Sequence, residues 1–323
     1  MKPKVYINKP IPQEVEEYIA GHCDYRKSKE GEKLSKEQFH DEIKDVEGIL
    51  TAGGSVDQEF LQAASNLKVV SNMSVGYNNF NLEEMKKRNV IGTNTPYVLD
   101  NAVADLAFGL MIATARKIPE LNNYVKNGGW KGGDDTPLFG LNVHSTTLGI
   151  IGMGRIGQVV ARRAIAGFNM DVLYHNRKQN LELEDEIGVT YKNLEGLLKE
   201  SDFVLLLLPL NEQTKHYFTF EHFKLMKKTG IFINISRGQT VNENALVQAL
   251  WEREIAAAGL DVFDQEPTSP DNPLLSMDNV VALPHIGTAT HKTRADIAML
   301  AAKNLVDVLI NDGKSAYIVP ELR

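Results

Sequence analysis

LGIIGMGRIGQVVARR, residues 148–163, decides the fold. An apolar run at 148–151 meets Gly152, Gly154 and Gly157 in the pattern G-x-G-x-x-G, and Ile156, Val160 and Ala164 then recur on one helical face. That order reads as a buried strand, a tight turn and a helix. Each glycine answers a separate demand. The first allows the turn, the second lets backbone approach a pyrophosphate, and the third lets helix and strand pack closely while the helix N-terminus faces the anion. Arg155 stands where it can reach a phosphate. The stretch reads as the first strand–turn–helix of a dinucleotide-binding unit.

Similar strands follow it: DVLYH, FVLLLL, GIFINI, AAAGL and VVALP. Upstream, KVYIN (4–8), GILTA (48–52), LKVVSNM (67–73) and NVIGTN (89–94) alternate with helical stretches such as PQEVEEYIAG and NLEEMKKRN. Alternation of this kind implies an α/β fold of parallel sheets covered by helices. Asn94-Thr-Pro96 breaks the first series. A long helix is predicted from about Asn101 to Ile118, apolar nearly all round and so buried, and a last amphipathic helix over 291–311. The stretch 127–143 is Gly-rich and irregular, with isolated Trp130, Leu138 and Phe139.

The chain has 323 residues, enough for about two domains. A net charge of -7 with mixed signs disfavours nucleic acid as a partner. The single cysteine, Cys23, excludes an internal disulfide and a cysteine-clustered metal site, and fits a reducing compartment. MKPKVYINKPIP is no signal peptide, and the apolar run FVLLLLPL is too short for a bilayer. A cytoplasmic protein without a metal centre is expected.

DVLYHNRK, 171–178, ends the strand after the glycine helix. An NAD site would carry an acid there to bond the ribose 2′-hydroxyl. Asn176 stands at that place and removes the repulsion of a 2′-phosphate, while Arg177 and Lys178 can pair with it. NADP(H) is therefore preferred, with NAD(H) possible. A nicotinamide cofactor implies hydride transfer, and the accompanying proton needs an acid/base, for which His is the usual choice. Of eight histidines, His22, His40, His216, His222 and His291 read as surface residues. His285, in VVALPHIGTAT, follows a strand, as Arg237 does in INISRGQTV. Asp261 and Glu266 lie past another in GLDVFDQEP. Ligands of open α/β sheets bind outside the carboxyl ends of the strands. Arg237 would hold a carboxylate and polarise the adjacent carbonyl, His285 would donate the proton, and Glu266 would hold the ring and favour its protonated form.

GMGRIG, NISRG, AGLDVFDQEP and LPHIGTAT, in this order and spacing, resemble the D-isomer-specific 2-hydroxyacid dehydrogenase family. So does SNMSVGYNNFNLEEMKKRNVIGTNTPYVLDNAVADLAFGLMIATAR. The likeness spans essentially the whole chain and is strongest to the bacterial 2-ketogluconate and glyoxylate/hydroxypyruvate reductase branch. It implies two doubly wound parallel-sheet domains, a Rossmann cofactor domain (100–289) inserted in a flavodoxin-like substrate domain (1–99 and 290–323). They would hinge at about Asp100 and Thr290 and close over the substrate. It implies Arg237, Glu266 and His285 as the catalytic triad and Val75 and Gly76 as backbone donors to the substrate carboxylate. Gly154, Arg155 and Ile156 would contact the pyrophosphate, and Asn176, Arg177 and Lys178 the ribose phosphate. Pro209 and Thr214 would lie near the adenosine. Ile235, Asp261 and Gly287 would lie beside the nicotinamide, with Asp261 on its carboxamide. The stretch 127–143 would be a homodimerisation arm.

The activity implied is NADPH-dependent reduction of glyoxylate, hydroxypyruvate or 2-ketogluconate to a D-2-hydroxy acid. The alternatives are an NAD-dependent phosphoglycerate or formate dehydrogenase and a non-enzymatic dinucleotide sensor. Asn78 and Asn81 depart from the Asp frequent in the family, as Asn101 does from a small polar residue near the cofactor.

Overall fold

Four short apolar runs in the first hundred residues become neighbouring strands in the computed structural model, which describes residues 1–28 and 34–323. The elements up to Thr93, in chain order, are β1 (Lys4–Ile7), α1 (Gln13–His22), β2 (Asp24–Lys27), α2 (Lys36–Ile43), β3 (Gly48–Thr51), α3 (Gln58–Ala63), β4 (Val69–Asn72), α4 (Leu82–Lys87) and β5 (Ile91–Thr93). The sheet order is β2-β1-β3-β4-β5 and every pair is parallel. This is the flavodoxin-like order. Both β3 and β4 are buried at all four positions, as a sheet covered on both faces requires. Side chains close the helix starts: Ser35 with Gln38 forms a capping box on α2, and Asp57 and Asn81 cap α3 and α4. Asn81, one of the departures above, is thus a structural cap.

The chain divides into two compact units, Met1–Leu99 with Ala289–Arg323, and Asp100–Thr288. The second contains α5 (Asp100–Ala115), α6 (Ile118–Lys126), β6 (Thr147–Ile151), α7 (Arg155–Phe168), β7 (Asp171–His175), α8 (Leu181–Ile187), β8 (Thr190–Tyr191), α9 (Leu194–Glu200), β9 (Phe203–Leu206), α10 (Phe220–Leu225), β10 (Ile231–Asn234), α11 (Glu243–Trp251), β11 (Ala257–Leu260) and β12 (Val280–Ala282). Its strands pair in the order β12-β11-β10-β9-β6-β7-β8, again all parallel. The order reverses at β6, so the turn after β6 opens at a topological switch point, where such sheets bind nucleotides. The predicted helix from Asn101 to Ile118 ends sooner, at Ala115. Lys117 turns left-handed (φ 53°) and Pro119 opens α6. A proline there would meet the carbonyl four residues back if the helix ran on, so the chain breaks and restarts.

The last helix, α12 (His291–Asn311), belongs to the first unit and completes its core. Gly48 makes room for it: a Cβ at Gly48 would lie 2.8 Å from Leu305 Cδ1. Ser71 Oγ donates to Ala301 O at 2.7 Å. Asn304, 2% exposed, donates from Nδ2 to Asn94 O (2.9 Å) and accepts from Tyr317 N–H (3.0 Å). Among the described residues no helix is long and apolar enough to cross a membrane. Asn304→Leu would keep the volume but strand a part-buried carbonyl and a part-buried N–H, and should destabilise the protein by about 1–3 kcal/mol. A shift of the urea midpoint at constant slope measures it, and an unchanged midpoint would refute the role.

Candidate active site

The glycine turn is built for something outside the protein. Gly152 (φ 100°) takes a conformation that side chains avoid, and a Cβ there would meet Leu207 O at 2.8 Å. Gly157 lets α7 settle on the strand, since its Cβ would lie 3.1 Å from Gly152 O. Around Gly154 there is open space. Helices α8, α9 and α11 are each capped by an Asn side chain, Asn180, Asn193 and Asn242. Helix α7 starts at Gly154 with no side-chain cap, leaving first-turn N–H groups to an incoming anion. The residues present therefore fit the pyrophosphate of a dinucleotide. Arg155 reaches Asp100, its Nε donating to Oδ2 at 3.3 Å. Burial raises the Asp100 carboxyl above its usual range, with Arg155 opposing.

The turn after β7 differs from simple expectation. Asn176 is committed to the glycine turn: Oδ1 accepts from Met153 N–H (2.8 Å) and Nδ2 donates to Met153 O (3.3 Å). Arg177 and Lys178 are exposed, with no hydrogen bond or ion pair to other described residues. In the loop after β9, Thr214 Oγ1 donates to Pro209 O at 2.6 Å and shapes that turn. Asn101 accepts from Arg163 of α7 through Oδ1 (3.0 Å).

Three strand ends of the second unit carry the acid/base residues expected from the sequence. After β10, buried Asn234 shapes the turn. Its Oδ1 accepts from Ser236 N–H (3.0 Å) and Oγ (2.8 Å), and its Nδ2 donates to Arg237 O (3.1 Å). Ile235 is buried there. Arg237 is half-buried and donates from Nη1 to Ser236 O at 2.7 Å. Burial lowers the proton affinity of its guanidinium, and the charge of Glu266 opposes this. Gly238 permits the next contact. A Cβ there would come within 1.8 Å of Phe263 C and O, so the Arg237 turn abuts the loop after β11 backbone to backbone.

That loop carries Glu266. Oε1 accepts from Phe263 N–H (3.1 Å) and Oε2 lies 2.6 Å from His285 Nδ1. Burial would raise the Glu266 carboxyl. The His285 hydrogen bond and charge, the Phe263 N–H and the charge of Arg237 outweigh it and hold the group below its usual range. Glu266 therefore stays ionised through the usual carboxylate range, and its charge is lost only as pH falls below that range. His285 sits in the left-handed region (φ 55°) after β12. Such a backbone costs energy and must be held by its surroundings. Asp261, 1% exposed, holds it: Oδ1 accepts from Ile286 N–H (2.7 Å) and Oδ2 from Gly287 N–H (2.9 Å). Burial pushes the Asp261 carboxyl up, and those two N–H groups oppose it.

The geometry joins Glu266 and His285 directly and ties Arg237 to them through Gly238. It also adds residues that sequence reasoning passed over. Glu243 accepts from Asp264 N–H (2.9 Å) and Asn272 Nδ2 (2.9 Å), bracing the Glu266 loop. No local pattern marks that role. His222, read above as a surface residue, is half-buried instead. Its Nδ1 accepts from Thr219 N–H (3.0 Å) at the start of α10, and its ring stacks on Tyr217. Desolvation lowers its proton affinity. The signal was available, since Thr219 and His222 have capping-box spacing. In the first unit, Val75 and Gly76 lie in the turn after β4. Trp130 and Phe139 are exposed, while Leu138 is partly covered.

An uncapped glycine turn at a switch point, beside an Arg, a Glu and a His on the same sheet edge, defines an α/β oxidoreductase with a dinucleotide-binding unit. Residues 108–287 match the family model described as D-isomer specific 2-hydroxyacid dehydrogenase, NAD binding domain, and the chain belongs to that family. It is 44% identical over 309 residues to glyoxylate/hydroxypyruvate reductase B of Escherichia coli O9:H4 (strain HS), covering 96% of this chain and 95% of that one. It is similar to the solved TT0316 protein of Thermus thermophilus (TM-score 0.90, 35% identity, 98% of this chain and 100% of that one). It is also similar to the NADPH-dependent glyoxylate/hydroxypyruvate reductase SmGhrB of Sinorhizobium meliloti, solved with NADP and malonate (TM-score 0.87, 31% identity, 100% of this chain and 98% of that one).

Asp261→Asn replaces one acceptor by a donor facing an N–H, so the His285 loop should loosen. Turnover should fall by about 10-fold or more while the fold survives, because a mispaired buried group costs about 1–3 kcal/mol. Steady-state rates with a circular-dichroism melt check this, and full activity would refute the bracing role.

Proposed function

We propose that this protein reduces small 2-keto acids to D-2-hydroxy acids with NADPH. Glyoxylate and hydroxypyruvate are the leading substrates, and 2-ketogluconate is a third. The observation that carries the reading is the 2.6 Å contact between His285 Nδ1 and Glu266 Oε2. With a carboxylate on Nδ1, the transferable proton belongs to Nε2. The names of the relatives support the substrate class.

A bound reduced nicotinamide supplies the hydride to the carbonyl carbon. Arg237 pairs with the substrate carboxylate and polarises the carbonyl oxygen. Val75 and Gly76 offer backbone N–H groups to a substrate carboxylate. His285 passes its Nε2 proton to that oxygen, and Glu266 stabilises the charged ring. Gly154, Arg155 and Ile156 hold the pyrophosphate, Pro209 and Thr214 the adenosine side. Ile235, Asp261 and Gly287 line the nicotinamide side. Asp261 has already given an oxygen to each of two N–H groups, so it meets a carboxamide only through its remaining lone pairs.

Arg177 and Lys178 favour NADPH because both are exposed at the end of β7 and unengaged by other described residues. The reducing direction follows from that choice, since cells keep the NADPH pool reduced. The exposed Trp130 and Phe139 favour a homodimer through 127–143. Buried Cys23 suits a reducing cytoplasm.

Two measurements test the reading. In Asn176→Asp with Arg177→Ala, the introduced carboxylate keeps an acceptor for Met153 N–H and sets a negative charge against the 2′-phosphate. The NADPH/NADH ratio of kcat/KM should fall by about tenfold or more, that is about 1.4 kcal/mol. An unchanged ratio means that the turn does not choose the cofactor. His285→Ala should cut turnover of glyoxylate by about 10²–10⁴-fold with NADPH affinity kept. Near-normal turnover would remove His285 as proton donor.

A further inference from the structure

We propose that Asn72 and Asn94 are positioning residues of the carboxylate-binding turn, fixing the direction of the Val75 and Gly76 N–H groups. The inference rests on the assignment of that turn made above. Strands β4 and β5 are adjacent and parallel, with Ser71 paired to Thr93. Asn72 and Asn94 are therefore the next residues on the two strands, side by side at the carboxyl edge. Both reach into the same turn. Asn94 Nδ2 donates to Val75 O at 2.8 Å. Asn72 Nδ2 faces Gly76 O (2.9 Å), Ser74 Oγ (2.8 Å) and Asn79 Oδ1 (3.2 Å). Ser74 Oγ adds a bond to Gly76 O (2.6 Å), and Thr95 N–H one to Ser74 O (3.0 Å).

Three consecutive carbonyls are thus tied back. In a planar trans peptide the C=O of one residue and the N–H of the next point in opposite directions. Tying Ser74 O aims Val75 N–H away from the sheet edge, and tying Val75 O does the same for Gly76 N–H. Neither N–H has an acceptor among the described residues. Two neighbouring N–H groups facing one way form a concave anion site. Asn94 governs the Gly76 donor directly, and Asn72 secures the turn from beneath. The chemistry also explains why both must be amides. Asn72 is 1% exposed and its Oδ1 has no partner among the described residues. A carboxylate in its place would lose every donor that the turn uses and bury a negative charge under a site for anions.

The test uses full-length protein saturated with NADPH. Oxamate, an unreactive 2-keto acid analogue, is titrated by calorimetry, glyoxylate kinetics are recorded, and NADPH affinity and melting temperature serve as controls. Asn94→Ala should raise the oxamate Kd and the glyoxylate KM about tenfold or more, as loss of a hydrogen bond to a charged group does. Asn72→Asp should raise both further. The effect on kcat should be smaller, and NADPH affinity should stay within about twofold. If Asn72→Asp does not fold, Asn94→Ala decides alone, because that side chain is only half-buried. Val75→Pro, which deletes one N–H, separates the two ways to fail. A raised Kd in Val75→Pro with unchanged values in both Asn variants overturns the positioning role and leaves the carboxylate assignment standing. Unchanged values in all three overturn the assignment and the inference together.

Discussion

Every strand pair in both sheets is parallel, and the assembly of the candidate site depends on that constraint. A parallel strand can be followed by another only after a crossover, so all strands of a sheet deliver their carboxyl ends to one edge. In the second unit that edge receives the glycine turn, Arg237, the loop with Asp261 and Glu266, and His285, from β6, β10, β11 and β12. In the first it receives Asn72 and Asn94 from β4 and β5. Residues far apart in sequence become neighbours because the backbone pairing leaves them nowhere else to go.

Gathering residues at an edge does not by itself fix their geometry. The loops are held by buried or half-buried polar groups whose partners are almost all backbone: Asn234 on the Arg237 turn, Glu243 on the Glu266 loop, Asp261 on the His285 loop, Asn176 on the glycine turn. A polar side chain in such a place is costly if left unpaired, so each one specifies a loop conformation rather than merely tolerating it. The left-handed His285 shows the result. Its backbone is unfavourable alone and is held by two N–H bonds to a single buried carboxylate.

The strands that built this edge were legible because they are apolar and bounded by turn residues. β2, with the sequence Asp24-Tyr-Arg-Lys27, was not, since an edge strand of charged residues carries no burial signal. β8 is two residues long, and α6 has no buried residue, so neither leaves a clear period. Arg237, Glu266 and His285 were readable as residue types at strand ends and through a family likeness. Gly238, Glu243 and the grip of Asp261 on Gly287 were not. Their roles exist only once two loops far apart in sequence have met, and nothing local announces which backbone a side chain will face.

The position of α12 bears on how the protein is made. The first unit begins the chain, yet the helix that covers its sheet and satisfies Asn94 O lies at 291–311, beyond the whole of the second unit. On a ribosome adding roughly 5–20 residues per second, the nascent first sheet waits on the order of ten seconds or more without the helix that packs on β3, β4 and β5. The second unit is complete by then, whereas its neighbour still lacks α12. Synthesis thus completes the second unit before the first, and the early strands, rich in Val and Ile, are open to aggregation on the nascent chain for that interval.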